Sequence, residues 1–580
     1  MTPTDPAAAT SLQADLILLH APSVYDFRDR DDVLFAYLSD SDSVNVTSIY
    51  EMFPIGFFSL QQRLRETDMT CEIVNLASLM LQHPELDVPK LLGHLEAPVF
   101  GFDLHWMTQC HGAVELARIL KAIHPDSVII FGGISATYYA EELAAYPGVD
   151  AVVQGYDTLE PTARLVARVR RGNRDLRGIP NLVFADADGV IQRTGFDHKP
   201  MRDYNDASVD WGFYEQVQPA FGAGKMIMTL PNTGCAFDCP WCGGSKYSYD
   251  SIMGASKPLI QKDLRHIESE LRSLGEAARH TSIYALQCYS EGRARMERYL
   301  HVVQEMGYKQ VYFEQFHLTP EPVLHKMAEA TEAFIMLSPE SHDPVVSKLA
   351  GRGTYTMPEM EAWIDKALDI GIAGVMVWFF IGMPKQDPTS VMDTVAYAQR
   401  LLARYPDGRV TPLVCPMVPF LDPGSRFFEQ PDAHGYRIFH RTLEEHRQAM
   451  VNPLWHRRLN YETEWLSRRQ IQDVTYQSIR TLVSAKAGTG HLPQGLARSV
   501  IDMIDMTEVL LADIEGAIAI DGTVPASLRA DIAGYNRTIL SYSSDQIVPM
   551  QRPFGGRWFD DFTVPDAMIR RCLPMSATRP

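Results

Sequence analysis

The sequence predicts two α/β domains in series: a doubly wound parallel sheet over residues 1–170 and a partial (β/α)6 barrel over 225–430. Residues 171–224 read as a linker or excursion, and a mainly helical region fills 431–580. Three observations predict this. Short apolar runs alternate with helical stretches of about a dozen residues, the pattern of a parallel sheet with crossover helices. The alternation stops at a charged, Gly- and Asp-rich segment and then starts again. A chain of 580 residues also exceeds what one hydrophobic core supports.

The elements follow in order. Asp15–His20 (DLILLH) is a short apolar run ending at Pro22–Ser23, the mark of a buried strand. Phe57–Glu66 reads as a helix and Glu72–Leu76 as a strand. Pro98–Leu104 is the next strand, and His111–His124 carries apolar residues at helical spacing. Ser127–Phe131 runs into Gly132 and Gly133, and Asp150–Val153 ends near Gly155. In such sheets ligands bind beyond the carboxyl ends of the strands. After RRGNRDLRGIPNLVFADADGV, a second series begins at KMIMTL near Lys225. Its further strands are Ser282–Leu286, Gln310–Glu314, Ala333–Leu337, Gly374–Ile381 and Val410–Val414. A barrel of this type works at the C-terminal ends of its strands.

Composition narrows the function. A hydrophobic fraction of 46% and a charged fraction of 22% are those of an ordinary globular protein. The formal charge of −19 argues against nucleic acid or an anionic membrane as the main partner. The N-terminus has no signal-peptide pattern, and the apolar run Ile372–Met383 is too short for a span. Eight cysteines in a chain of this length make no disulfide framework, so a cytoplasmic location is expected, with clustered cysteines binding metal or doing redox chemistry.

The sharpest signal is Cys235-Ala-Phe-Asp-Cys239-Pro-Trp-Cys242, just after the strand KMIMTL. Three thiolates so spaced can each take one iron of a [4Fe–4S] cubane and leave the fourth iron open to a small molecule. Zinc sites prefer paired Cys-x2-Cys units and four ligands, and the next cysteine, Cys288, stands far downstream alone. The spacing, with an aromatic before the last cysteine, resembles the signature of radical S-adenosylmethionine (SAM) enzymes. The resemblance implies that the open iron holds SAM, whose reductive cleavage gives a 5′-deoxyadenosyl radical. It places Trp241 near the adenine, Ser338 and Glu340 (Ser-Pro-Glu-Ser) near the cosubstrate, and Gly382 (Phe-Ile-Gly-Met-Pro) in a Gly-x-Pro turn by the adenine. The family's Gly-Gly-Glu is replaced by Gln287-Cys288-Tyr289. The likeness covers Lys225 to Phe420 and makes the barrel TIM-type.

The first sheet lacks the G-x-G-x-x-G of a nicotinamide site. Three of its strand ends resemble the Rossmann-like cobalamin-binding domain of class B radical SAM enzymes. They are Asp103, His105 and Trp106; Gly132, Gly133, Ser135 and Thr137; and Gly155, Asp157 and Thr158. Paired glycines let the backbone approach a bulky nucleotide tail, and the hydroxyls and Asp157 can bond its phosphate, ribose or amide arms. Asp103-Leu-His105 begins like the Asp-x-His-x-x-Gly motif that supplies an axial histidine, but Thr108 stands where glycine is required. The expectation is a corrinoid held without a protein imidazole, with His105 and Trp106 beneath its face.

Other residues carry weaker readings. Cys71, Cys110, Cys288, Cys415 and Cys572 are scattered, and lone cysteines are usually small buried hydrophobes. Glu314 and His317 follow a strand into the barrel mouth. Pro419–Ser425 reads as a loop closing the last barrel unit and resembles a Pro-Gly-Ser turn of cobalamin-dependent members. Leu454–Tyr461, aromatic and positive, reads as a lid, a carboxylate-binding wall or a solvated helix face. The pairing of domains implies a cobalamin-dependent C-methyltransferase acting on a small molecule in natural-product or antibiotic biosynthesis. Co(I), a strong nucleophile, takes the sulfonium methyl, and methylcobalamin gives it to a substrate carbon radical. An external donor such as flavodoxin or ferredoxin would supply electrons. The alternatives are a rearrangement or cyclisation with the same cofactors, and a non-catalytic corrinoid or redox sensor.

Overall fold

The structure is a computed structural model that describes residues 11–36, 38, 48–52, 54–198, 203–217, 226–254, 259–285, 292–417, 420–545 and 564–574. The first sheet contains β1 (Leu16–His20), β2 (Cys71–Asn75), β3 (Val99–Asp103), β4 (Val128–Gly132), β5 (Ala151–Val153), β6 (Leu182–Ala185) and β7 (Ile191–Arg193). Its order is β2-β1-β3-β4-β5-β6-β7, and the first five strands run parallel. All five residues of β1 are buried, as are all five of β3. A parallel strand covered on both faces needs such a run rather than alternation.

Strand order reverses between β1 and β3, where Leu18 lies opposite Gly101 and Leu19 opposite Phe102. That switch point leaves a crevice at the carboxyl ends of the two strands. Residues 171–224, read from composition as a linker or excursion, are more ordered than that. Strands β6 and β7 form an antiparallel hairpin that extends the first sheet past β5. Buried Tyr214 donates to Gln61 Oε1 at 2.6 Å and so ties the following helix (Trp211–Val217) to the first domain.

The second sheet has six parallel strands in sequence order: β8 (Met226–Thr229), β9 (Ser282–Ala285), β10 (Gln310–Gln315), β11 (Glu332–Glu340), β12 (Gly374–Ile381) and β13 (Val410–Pro416). Helices between them are delimited by their own sequence. Thr356 and Glu359 form a capping box before Met357–Ile370, and Gly371 ends that helix in the left-handed region, the position that favours glycine. The run Ile372–Met383 is therefore a barrel strand and not a span. No helix of the described residues is long and apolar enough to cross a membrane.

The C-terminal region joins the two domains. It includes helices Arg468–Thr489, Gln494–Asp521 and Ala526–Asp545. Near its start the chain reaches back to the helical segment after β4: Tyr138 donates to Glu429 (2.7 Å) and Tyr139 to the Arg441 carbonyl (2.8 Å). Residues Leu454–Tyr461 are neither a lid nor a solvated face. Trp455, His456, Arg458 and Tyr461 are buried, and their polar ends bond inside the fold, Trp455 Nε1 to Tyr476 (2.9 Å) and Arg458 to the Leu34 carbonyl (2.8 Å).

Gly382 is explained here too. It has φ +103°, and a Cβ on it would overlap the Tyr461 hydroxyl. Gly382→Ala is expected to cost about 2–4 kcal/mol through strain and overlap. Urea unfolding should show a lower midpoint, partly restored by Tyr461→Phe, which removes the hydroxyl.

Candidate active site

The carboxyl ends of both sheets open into one cavity of about 790 Å³. From the first domain it is lined by Asp103, His105, Trp106, Gly132, Gly133, Gly155 and Thr158. From the second come Cys235, Cys239, Trp241, Cys242, Ser338, Glu340 and Phe380. The sequence-predicted residues of the two domains therefore meet across a single chamber.

On the first side, Asp103 ends β3 and is almost wholly buried. Its Oδ1 lies 2.8 Å from His20 Nδ1, and the other ring nitrogen of His20 is 2.8 Å from the Tyr50 carbonyl. Burial is the largest influence and opposes a charge on His20, but the Asp103 carboxylate, the Tyr50 carbonyl and Glu51 together outweigh it and the imidazole pKa is raised. The second oxygen, Asp103 Oδ2, has no hydrogen-bond partner, although Asp103 lines the cavity. A buried carboxylate oxygen without a donor is costly, and an amide-bearing ligand in the cavity would satisfy it. Burial lowers the His105 pKa to about 4, so this ring is neutral. Trp106 packs edge-on against it at 4.6 Å and is 41% exposed. An indole left so open belongs to a ligand-facing wall and not to the core.

The polar residues next to these glycines serve the wall and do not face the cavity. Ser135 Oγ donates to the His105 carbonyl (3.1 Å), and Thr137 Oγ1 accepts from the Gly155 amide (3.0 Å). Asp157 pairs with His198 Nε2 at 3.2 Å. These bonds fix the strand-end turns.

On the second side, the Cys239 carbonyl accepts from the Cys242 amide (3.2 Å), which makes the loop a turn. The Phe237 amide points at Cys235 Sγ (3.4 Å) and the Gly244 amide at Cys242 Sγ (3.3 Å). Among the described residues no three His, Cys, Asp or Glu side chains converge on one ion position. Burial pushes the Cys235 thiol up to about 11 and raises the other two, so thiolates form as iron displaces their protons.

The loop is braced by residues outside the cysteine motif. Asp422, in the Pro419–Ser425 segment, accepts from the Gly243 amide (2.9 Å), and Ser248 donates to the Gly424 carbonyl (2.7 Å). Arg352 donates to Cys239 Sγ (2.6 Å) and to the Ser338 carbonyl (2.9 Å). Its Nε is also 3.0 Å from Glu340 Oε1, an ion pair, while Glu340 Oε2 has no donor. Glu340 is wholly buried with φ +65°. Burial, opposed by Arg352, pushes its pKa up to about 7. A carboxylate so strained and so short of donors fits a cosubstrate bearing hydroxyl or ammonium groups. Trp241 donates to the Ala350 carbonyl (3.1 Å) and packs 5.6 Å from Phe380. Gly382 lies outside the cavity wall, held by Gln386 and Tyr436, and its neighbour Phe380 takes the lining position.

Of the weaker candidates, Glu314 lines the cavity. His317 stands off it against Phe237 and Thr354. Cys415 points toward the Phe379 carbonyl, and Cys71, Cys110 and Cys572 are buried elsewhere. Gln287, Cys288 and Tyr289 lie outside the described residues.

Comparison with known proteins agrees with this division. Residues 42–163 match the B12 binding domain, and residues 229–398 match the Radical SAM superfamily. Among curated proteins no sequence matches the chain. The fold is similar to the radical SAM methyltransferase TsrM from Kitasatospora setae, solved with cobalamin and a [4Fe–4S] cluster. Identity there is 13% over 92% of this chain and 99% of that one, with a TM-score of 0.55. The cobalamin-dependent SAM radical enzyme OxsB, solved with aqua-cobalamin and SAM, is 11% identical over 92% of this chain and 72% of its own, with a TM-score of 0.48. With a B12 binding domain and a radical SAM domain opening onto one cavity, the chain belongs to the cobalamin-dependent radical SAM enzymes, whose cofactors are a [4Fe–4S] cluster, SAM and cobalamin.

Proposed function

We propose that this chain is a C-methyltransferase acting on a small molecule in natural-product biosynthesis, in the cytoplasm, with an electron supplied by a flavodoxin or ferredoxin. The observation that carries the reading is the single chamber onto which Trp106 of the first domain and the three cysteines of the second both open. When bound there, the cofactors supply a transferable methyl group and a hydrogen-abstracting 5′-deoxyadenosyl radical.

The chain's own residues do the rest, as in other cofactor enzymes. Cys235, Cys239 and Cys242 hold the irons. Glu340 and Ser338 orient the cosubstrate, with Trp241 and Phe380 as its apolar wall. Asp103 Oδ2 and Thr158 receive polar arms of the corrinoid, and Trp106 and His105 cover one of its faces. Gly132, Gly133 and Gly155 shape the floor. The Tyr138–Glu429 and Tyr139–Arg441 contacts keep the domains shut on each other, which excludes water from the reacting groups. The methyltransferase activity of the K. setae protein supports methylation as the outcome.

The test is anaerobic incubation of reconstituted protein with reductant, hydroxocobalamin, methyl-deuterated SAM and a metabolite extract. The expected result is 5′-deoxyadenosine together with S-adenosylhomocysteine, and deuterated methyl in a product by mass spectrometry. Formation of 5′-deoxyadenosine with no S-adenosylhomocysteine and no label transfer would refute methylation.

A further inference from the structure

We propose that the outer face of the cysteine loop is a docking surface for a small acidic electron-transfer protein, formed by Val345, Lys348 and Leu349 around Gly351, with Lys246 and Arg426 beside them. The surface rests on the electron-donor reading above and on the three-cysteine site, and it is independent of whether methylation is the outcome.

Gly351 is exposed and yet lies directly on the loop. Its φ is +86°, and a Cβ there would stand 2.9 Å from Pro240 Cδ, 3.1 Å from Cys239 Cα and 3.6 Å from the Asp238 carbonyl oxygen. At this point the wall between solvent and a cluster-bearing cysteine is one residue thick. Electron tunnelling weakens steeply with distance, so a donor seated over Gly351 has a short path to the Cys239 corner. The helix Pro344–Leu349 leads into that turn and turns Val346 and Ser347 inward. That leaves Val345, 51% exposed, and Leu349, 39% exposed, one turn apart on its outer side, with Lys348 exposed beside them. Beyond Asp238, Arg426 pairs with that carboxylate and lies 4.6 Å over the Tyr247 ring. The Phe427 amide donates to the Pro240 carbonyl (2.8 Å), and Lys246 is exposed next to Tyr247.

Charge selects the partner. The nearby carboxylates are already engaged, Asp238 by Arg426 and the Tyr247 amide (3.1 Å), and Asp343 by the amides of Val345 and Val346. Neither Lys246 nor Lys348 forms an ion pair among the described residues. The chain as a whole carries a formal charge of −19 and would repel an acidic protein. A locally positive patch reverses that at one place and orients the encounter. Apolar contact at the centre with charge at the rim is the anatomy of a protein interface. Electron-transfer encounters are small enough for one helical turn and a loop to serve. One electron leaves the reduced donor and enters the cluster by its Cys239 side, and no proton or group is exchanged.

The experiment compares the wild type with Lys246→Glu/Lys348→Glu/Leu349→Gln, both reconstituted with cluster and cobalamin. Two quantities are read: affinity for flavodoxin by calorimetry, and the stopped-flow rate of cluster bleaching by reduced flavodoxin or by dithionite. At low ionic strength the variant should bind flavodoxin at least about tenfold more weakly, about 1.4 kcal/mol, and its flavodoxin-driven bleaching should slow in step. Dithionite, too small to need the patch, should bleach both clusters at one rate. Added salt should weaken wild-type binding and change the variant's little. A control, Arg171→Glu/Arg174→Glu, alters exposed residues of the first domain and shifts net charge equally, and it should bind as the wild type does. Unchanged flavodoxin affinity in the triple variant overturns the surface while leaving the donor reading intact. So does an equal loss in the control, or a slower dithionite rate in the triple variant, which would mean that these residues act on the cluster itself. A wild-type cluster that dithionite reduces but that neither flavodoxin nor ferredoxin reduces refutes the donor reading and the surface with it. A wild-type chain with no reducible cluster refutes the three-cysteine site on which both stand.

Discussion

Cys235→Ala, Cys239→Ala and Cys242→Ala are each expected to abolish the iron–sulfur centre and, with it, all reductive cleavage of SAM. Three protein ligands already leave one iron without a side chain, so the site has no spare donor to lose. Cys288 lies outside the described residues, and among the described ones no other thiol is placed to substitute: Cys71, Cys110 and Cys572 are buried in other parts of the fold and Cys415 faces the Phe379 carbonyl. Their replacement should leave iron and sulfide content unchanged. Cys239→Ala also removes the sulfur against which the buried Arg352 guanidinium rests, leaving Arg352 with Glu340 and the Ser338 carbonyl, and an unmet buried donor costs about 1–3 kcal/mol. It should therefore lower thermal stability more than Cys235→Ala does. The measurements are iron and sulfide per chain, visible charge-transfer absorbance and 5′-deoxyadenosine release under reducing conditions. Zinc in the wild-type protein, or a full cluster in any of the three variants, would refute the assignment.

The two sheets were legible because burial on both faces writes strands as unbroken apolar runs. Gly374–Ile381 is read from sequence residue for residue as found. The other barrel strands differ at their ends, where β11 continues to Glu340 past a proline that suggests a stop. The hairpin Leu182–Arg193 was masked by its turn: Asp186 to Gly189 and the flanking arginines give a loop-like composition, while the strands are only four and three residues long. Leu454–Tyr461 misleads for another reason. Its charge and aromatic content suggest a surface, but Arg458 and Trp455 are satisfied by Leu34 and Tyr476, partners that sequence spacing cannot announce. Arg352 belongs to the same class. Only the glycines on either side of it hint that its backbone approaches something closely, and they do not say that the something is Cys239.

Gly132 and Gly133 read alike in the sequence, but they are expected to fail in different ways when replaced. Gly133 has φ +116°, and a Cβ on it would lie 2.7 Å from both the amide nitrogen and the Cα of His105. Its neighbour is the chain itself. Four hydrogen bonds lock that contact: Leu104 to the Gly132 carbonyl, Ala136 to the Leu104 carbonyl, and both the amide and hydroxyl of Ser135 to the His105 carbonyl. Gly133→Ala must push the turn bearing His105 and Trp106 away, at about 2–4 kcal/mol. Both unfolding midpoint and affinity for hydroxocobalamin should fall, the affinity at least about tenfold, which is about 1.4 kcal/mol. Gly132 ends β4 with ordinary backbone angles, and the nearest atom to a Cβ there is the Val153 carbonyl oxygen at 3.9 Å. A β-branched residue suits that strand position, and the free space beside it belongs to the cavity. Gly132→Val should therefore keep the unfolding midpoint of the wild type while weakening cobalamin binding, read by absorbance titration. Iron content and cluster reduction should stay unchanged in both, because the cysteine loop lies on the other sheet. If Gly132→Val bound cobalamin as tightly as the wild type, the end of β4 would not abut the ligand, and the corrinoid would have to sit elsewhere along the crevice between β1 and β3.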